Sequence, residues 1–225
     1  MSWNPVTGCL HECSYCWARR LALTRLKRHP HYALHGFKPA FNERAMGRRF
    51  KPGEWVFVSD MGDLWGSWVP REWIERVLEV VRANPRTEFF FLTKNPARYF
   101  EFLDEMPENA TLGATVETNR DEGYELVSRA PKPSERLRAM AELDWPRKVV
   151  VVEPVLDFDL DEFVEALKRA KPVEVYVGYD NYGHRLPEPS LAKVKALVGR
   201  LEGLTSVHAK SLRPAWYERQ QQVVS

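Results

Sequence analysis

No stretch of this chain stays apolar for the roughly 20 residues that a bilayer crossing takes. No segment repeats, and none falls into low complexity. Cysteine is scarce: there are three, and all lie between positions 9 and 16. An odd number packed that tightly makes a poor disulfide framework, so a ligand or redox role is expected instead. The opening MSWNPVTGC has neither the basic start nor the apolar run of a secretory signal. A cytoplasmic protein without a membrane partner is the expectation.

What is present has a globular balance, with 44% hydrophobic and 28% charged residues over 225 positions. That length suits a single domain, residues 1–225, with a substantial core. A net charge of +2 conceals an asymmetry. Between Arg19 and Lys51 stand ten Lys or Arg against one acid, Glu43, so this segment carries +9 and the remainder about −7. Such a segment, lying at about 17–51 behind the cysteines, suggests an anionic partner.

Short runs rich in Val and Phe recur along the chain: 54–59, 88–93, 111–116, 148–152, 173–178 and 205–209. They are mostly apolar on both faces, as buried parallel strands are. Helical patterns lie between them. Ile74, Val77, Leu78 and Val81 share one face behind Pro70, and Asn95-Pro96 reads as an N-cap and first turn. Leu160, Phe163, Val164 and Leu167 form another face; Leu191, Val194, Leu197, Val198 and Leu201 form a third. Alternating βα units with right-handed crossovers predict an α/β fold with parallel strands. Six or seven units are too few for a full eight-fold barrel. A partial (βα)6 TIM-like barrel is therefore expected, with an open flat sheet as the competitor.

Polar residues, with a charged group at each strand end, sit just after these runs: Ser59, Asp60 and Asp63; Thr93 and Lys94; Glu117; Glu153; Tyr179 and Asp180; Lys210. Parallel α/β folds gather ligands at the carboxyl ends of strands, so together these residues predict a functional rim. Individually, any of them could simply cap a helix.

Cys9, Cys13 and Cys16 have the spacing C-x3-C-x2-C. Thiolates suit iron–sulfur clusters and zinc. Three of them can hold three irons of a four-iron, four-sulfur (4Fe-4S) cubane and leave the fourth open to a ligand. Gly8 would ease the turn into that loop. Zinc with His11 as fourth ligand is the alternative. It is disfavoured because ligands two apart diverge in an extended loop, and no second ligand pair exists.

At this point the residues resemble a known family. C-x3-C-x2-C with an aromatic, Tyr15, before the last cysteine is the signature of the radical S-adenosylmethionine (SAM) superfamily. More of the chain is similar to the phage Gp37/Gp68-like (DUF5131) radical SAM proteins. The matching motifs are WNPVTGC (3–9), CWARR (16–20), VFVSDMGDLWGSWVP (56–70), FLTKNPAR (91–98), LGATVET (112–118), VEPVL (152–156) and HAKS (208–211). The likeness extends more distantly to the spore photoproduct lyase group. Two departures stand out. The first cysteine spacer is short where many members have a longer one, and the run Gly178-Tyr-Asp180-Asn181 replaces a Gly-Gly-Glu-like strand end.

The resemblance implies that SAM binds the open iron and is cleaved by one electron to methionine and a 5′-deoxyadenosyl radical. It also implies a donor such as ferredoxin or flavodoxin. On that basis Asp60 or Asp63 is expected to take the methionyl ammonium, and Glu117 the ribose. Ser59, Tyr15 and Gly178 are expected in the cofactor site, where Tyr15 and Trp17 could shield the cluster. Glu153 is expected to meet SAM or substrate. Lys94 and Lys210 suit a SAM carboxylate or an anionic substrate, and Tyr179 is a candidate hydrogen donor beside Asn181, Tyr182 and His184.

The segment 19–51 mixes basic residues with Tyr32, Phe37 and Phe41, a pattern that fits phosphate tracking and base stacking. A nucleic acid, modified or repaired, is the favoured substrate. A small anionic metabolite or a peptide is the alternative. A non-catalytic, zinc-containing nucleic-acid-binding module is the competitor from another class. No motif speaks to oligomeric state.

Overall fold

The computed structural model describes residues 1–223. The fold is α/β: seven strands belong to one sheet, with helices between them, as in a partial (βα)6 TIM-like barrel. The chain divides into two compact units, Met1–Gly113 and Ala114–Ser225.

In the first unit β1 (Ser2–Trp3), β4 (Trp55–Val58) and β5 (Glu88–Thr93) run parallel, with Trp3 beside Val58 and Val58 beside Phe91. A small antiparallel pair, β2 (Val6–Thr7) with β3 (Ala40–Phe41), brings the far end of the basic segment back to the start of the cysteine loop. The segment itself holds α1 (Trp17–Leu23), α2 (Pro30–His35) and α3 (Glu43–Met46). α1 is therefore short and ends well inside the basic segment. The Thr24 hydroxyl donates to Arg20 O at 2.6 Å and its backbone leaves helical geometry, so the chain turns there.

α4 (Arg71–Arg82) buries Ile74, Val77, Leu78 and Val81, the four residues whose three-and-four spacing announces it. Each such side chain contributes about 1.5–3 kcal/mol when removed from water. Pro70 stands at the cap position of this helix and not inside its first turn. After β5 the chain forms a 3-10 helix, Pro96–Glu105, with Pro96 in its first turn. Asn95 occupies the cap position, but its amide donates to Trp65 O at 2.9 Å instead of capping. β6 (Ala110–Thr115) then carries the chain into the second unit.

There α5 (Pro133–Glu142), β7 (Lys148–Val152), α6 (Leu160–Ala170), β8 (Glu174–Gly178), α7 (Leu191–Leu201), β9 (Ser206–Lys210) and α8 (Trp216–Val223) follow in turn. Parallel pairing sets Val151 beside Tyr176, and Tyr176 beside His208. α6 begins with Asp161 and Glu162 and ends with Lys168 and Arg169, charges that match the helix dipole at each end. Ser190 caps α7 by accepting from Lys193 N. All six expected strand runs are strands, but β9 is largely exposed, unlike the buried strands its composition suggested.

Candidate functional site

In the first unit the cysteine loop begins where two stretches of backbone nearly touch. Gly8 has φ +79°, and a side-chain carbon there would lie 2.2 Å from Lys38 O. Only glycine fits. Its N–H donates to Met61 O at 2.9 Å, and Cys9 N–H donates to Phe37 O at 3.3 Å. Gly62 abuts Gly8 from the other side. At its far end the loop enters α1, where Cys16 Sγ caps the helix by accepting from Arg19 N at 3.3 Å.

None of the three cysteines is in a disulfide. Burial raises the Cys9 thiol well above its usual pKa, and the charges of Asp63, Cys13 and Cys16 add to that. Burial likewise raises Cys16, with Cys13 adding and the Arg19 amide opposing. The three sulfurs are thus close enough to repel one another once ionised, which a bound cationic centre would relieve. Backbone N–H groups point at two of them, His11 N at Cys9 Sγ and Arg19 N at Cys16 Sγ, as iron–sulfur ligands accept. Among the described residues no three His, Cys, Asp or Glu side chains converge where one metal ion could sit. A cubane asks for something else, one thiolate on each of three irons. The donor set fits it.

His11 is turned into the protein, with Nε2 2.9 Å from Asp63 Oδ2. Asp63 also accepts from Trp65 N at 3.0 Å, from Lys94 N at 3.0 Å and from the Thr93 hydroxyl at 2.7 Å. Burial alone would raise its pKa, but His11, the Lys94 amide and Thr93 together hold it below the ordinary aspartate value. Asp60 is held by the hydroxyl of Ser2 and the amide of Asn4. Both carboxylates expected to meet a methionyl ammonium are therefore committed to the protein's own donors. Lys94 Nζ lies 2.6 Å from the Tyr15 hydroxyl, so these two expected site residues do come together. Ser59 is 2% exposed at φ +57°, and among the described residues nothing hydrogen-bonds its Oγ. A buried hydroxyl left over in this way is a candidate for a ligand.

In the second unit Glu117 sits in an ion pair. Its carboxylate lies 2.8 Å from Arg136 Nη1, both side chains are fully buried, and the Tyr124 hydroxyl donates to it at 3.1 Å. Tyr179 is also spent on the core: its hydroxyl donates to Pro189 O at 3.1 Å and Arg213 covers its ring. Burial raises that phenol's pKa strongly, with Glu218 and Glu188 adding.

The ends of β7, β8 and β9 do converge. A side-chain carbon on Gly178 would lie 2.9 Å from Lys210 O and 3.2 Å from the Glu153 carboxyl carbon. Asn181 Nδ2 reaches Glu153 Oε1 at 3.4 Å. Burial raises the Glu153 pKa, and Lys210 partly offsets it. Lys210 Nζ lies 4.7 Å over the ring of Tyr176. Asp180, 5% exposed, accepts from His184 N, the His184 ring and Tyr182 N, which shapes the loop after β8. The Arg213–Glu188 pair, at 2.6 and 2.9 Å, braces the same loop. Sequence reading missed His11 as an anchor and Arg136 as an ion-pair partner. The signals were a histidine between two cysteines, which reads in sequence only as an alternative zinc ligand, and an arginine on the apolar side of α5.

No curated protein matches the chain in sequence. Among solved structures it resembles a spore photoproduct lyase mutant with dinucleoside spore photoproduct, at 13% identity and TM-score 0.57, covering 88% of this chain and 60% of that one. A second lyase mutant aligns at 11% identity and TM-score 0.64, over 92% of this chain and 75% of that one. Streptococcus suis SuiB bound to S-adenosylmethionine aligns at 10% identity and TM-score 0.55, over 93% and 46%. The chain thus spans about 60% of the first lyase chain it matches, and what it shares with these structures is the fold. The model of the family described as protein of unknown function (DUF5131) matches residues 1–164, well over half of the chain, and the chain belongs to that family.

Proposed function

We propose that this protein is a radical SAM enzyme acting on a nucleic acid, by modification or repair. The observation that carries the reading is the cysteine loop: three cysteines outside any disulfide, whose thiolates would repel one another, in a loop clamped at Gly8, within a fold shared with SAM-bound structures. Cys9, Cys13 and Cys16 would hold three irons of a 4Fe-4S cluster. When bound, the cluster and SAM together supply a 5′-deoxyadenosyl radical that takes a hydrogen atom from substrate. A ferredoxin- or flavodoxin-like donor supplies the electron, and the reducing cytoplasm keeps the thiols unpaired. Among the described residues no helix is long and apolar enough to cross a membrane.

The chain's own residues do the positioning. The unpartnered Ser59 hydroxyl and the Lys94–Tyr15 pair are the polar groups of the first unit offered to SAM. Lys94 places a cation beside a phenol, which suits a carboxylate. In the second unit Glu153, Asn181 and Lys210 are offered to substrate; Glu153 accepts from the Asn181 amide, and burial raises its pKa while Lys210 partly offsets that. Gly178 lets the Lys210 backbone and the Glu153 carboxylate approach closely there. Of the ten basic residues in 19–51, Arg19 and Arg48 are half-buried and the other eight are exposed, as phosphate contacts require. Spore photoproduct lyase structures with bound AdoMet and a dinucleoside photoproduct support both halves of the reading.

The test is anaerobic. Reconstituted protein reduced with dithionite in the presence of SAM should yield 5′-deoxyadenosine, and Cys13→Ala should abolish it. A colourless protein holding stoichiometric zinc would end this reading. Binding to single-stranded oligonucleotides should weaken steeply with salt; binding that salt leaves unchanged removes the nucleic-acid half.

A further inference from the structure

Resting on the cluster reading above, we propose that His11 is a positioning residue for the iron–sulfur centre. Its ring, locked to Asp63, fixes the loop between Cys9 and Cys13 and aims a backbone amide at the Cys9 sulfur.

The loop is held at its two ends by different means. At the start, backbone bonds tie Gly8 to Met61 and Cys9 to Phe37; at the end, Cys16 caps α1. Between them the chain must bulge outward, and Leu10 and Glu12 are exposed there. His11, lying between those two, is only 3% exposed. One inward residue between two outward ones is how a side chain pins a loop. Glu12, the next residue, is held at φ +51°, a left-handed backbone that a non-glycine residue adopts only where its surroundings impose it.

The anchor is stiff. Asp63 is already fixed by Trp65 N, Thr93 Oγ1 and Lys94 N, two of them at the carboxyl end of β5. A carboxylate only accepts, so His11 Nε2 carries the proton that joins them. Trp68 closes over the imidazole edge-on, with ring centroids 4.7 Å apart. The ring therefore has one place to be. The main-chain N–H of the same residue points at Cys9 Sγ from 3.5 Å. Such N–H groups beside cluster sulfurs help set reduction potential, and partners behind a metal ligand govern how firmly the metal is kept. Releasing the ring would let this amide swing away from the sulfur. In this arrangement Asp63 serves the cluster loop through His11.

The test compares anaerobically reconstituted wild type with His11→Ala, His11→Gln and Asp63→Asn. The readings are iron and sulfide per chain, the rate of iron loss to a chelator, the midpoint potential, and the EPR signal of the reduced cluster before and after SAM. We expect His11→Ala to lose iron about 10-fold faster. Its potential should be more negative, and its EPR signal should respond less to SAM. His11→Gln, whose amide can still donate to Asp63, should recover most of each property, and Asp63→Asn should resemble His11→Ala. Should His11→Ala fail to fold by circular dichroism, the Gln and Asn variants decide alone. A His11→Ala protein with wild-type iron retention, potential and EPR signature overturns the proposal, as does a Gln variant no better than Ala. Wild type that takes up no iron is a different failure, since it removes the cluster reading before any variant is compared.

Discussion

Glu117 Oε2 and Arg136 Nη1 stand 2.8 Å apart, and neither side chain has any exposed surface. Arg136 also donates to Thr115 O from the same nitrogen, and its guanidinium lies 4.8 Å over the ring of Tyr124. Charge, hydrogen bonds and ring together fasten α5 beneath the end of β6. A buried pair of this kind adds little compared with a well-packed apolar pair, but removing one partner strands the other. Glu117→Gln should therefore destabilise the protein by about 3–5 kcal/mol. Urea unfolding of the metal-free chain measures this, and a loss below about 1 kcal/mol would show that the pair is not buried as described.

The loop after β8 predicts a pH dependence. Burial by itself would raise the Asp180 pKa, but the His184 amide and ring and the Tyr182 amide outweigh it and leave it below the ordinary value. A carboxylate depressed in the folded state stabilises fully above its unfolded pKa, about 3.9, and the contribution fades as pH falls through the folded value. The stability difference between wild type and Asp180→Asn should therefore be constant near pH 6 and shrink below about pH 4. Urea midpoints taken across that range test it, and a difference that grows with acid contradicts it.

Gly8 offers a sharper probe of the cysteine loop. A methyl group there meets Lys38 O at 2.2 Å, a backbone atom that cannot rotate away, and must also hold φ near +79°. Overpacking costs about 1–3 kcal/mol, and the left-handed backbone adds about 1–2 kcal/mol more. Because the clash lies one residue before Cys9, Gly8→Ala should spoil cluster assembly out of proportion to its effect on folding. Iron content beside circular dichroism reads the two separately. Full iron loading in a folded Gly8→Ala protein would contradict the clamp.

The uneven legibility of this chain has a physical cause. α4 was readable because Ile74, Val77, Leu78 and Val81 repeat at the helical period, and that period reports burial directly. The cysteines raise a cluster expectation from sequence because soft ligands at close spacing have few other uses. Rim carboxylates carried no such label. Asp60, Asp63 and Glu117 all follow strands, as ligand-binding residues do, yet their partners come from residues up to 58 positions away in sequence. Local pattern places a side chain at a strand end; only the fold says whether Ser2, His11 or Arg136 has already claimed it. The contacts of Tyr179 are hidden from sequence in the same way, since Pro189 and Arg213 arrive from later loops.

The basic segment supplies the remaining prediction. Arg25, Lys27 and Arg28 follow α1 in a run of turns, and all three are exposed. They make no demand on the core, so replacing all three with Gln should leave unfolding within about 0.5 kcal/mol of wild type. A phosphate contact contributes to binding by releasing a condensed counterion, which makes affinity depend on salt. If these side chains track a phosphate backbone, each one lost should lower the slope of log affinity against log salt by about 1 and weaken all sequences alike. Fluorescence anisotropy with single-stranded oligonucleotides at several salt concentrations measures that slope. A triple variant with unchanged slope assigns nucleic-acid contact to other residues. One whose losses depend on base sequence makes the segment a reader of bases, because a phosphate carries no base identity.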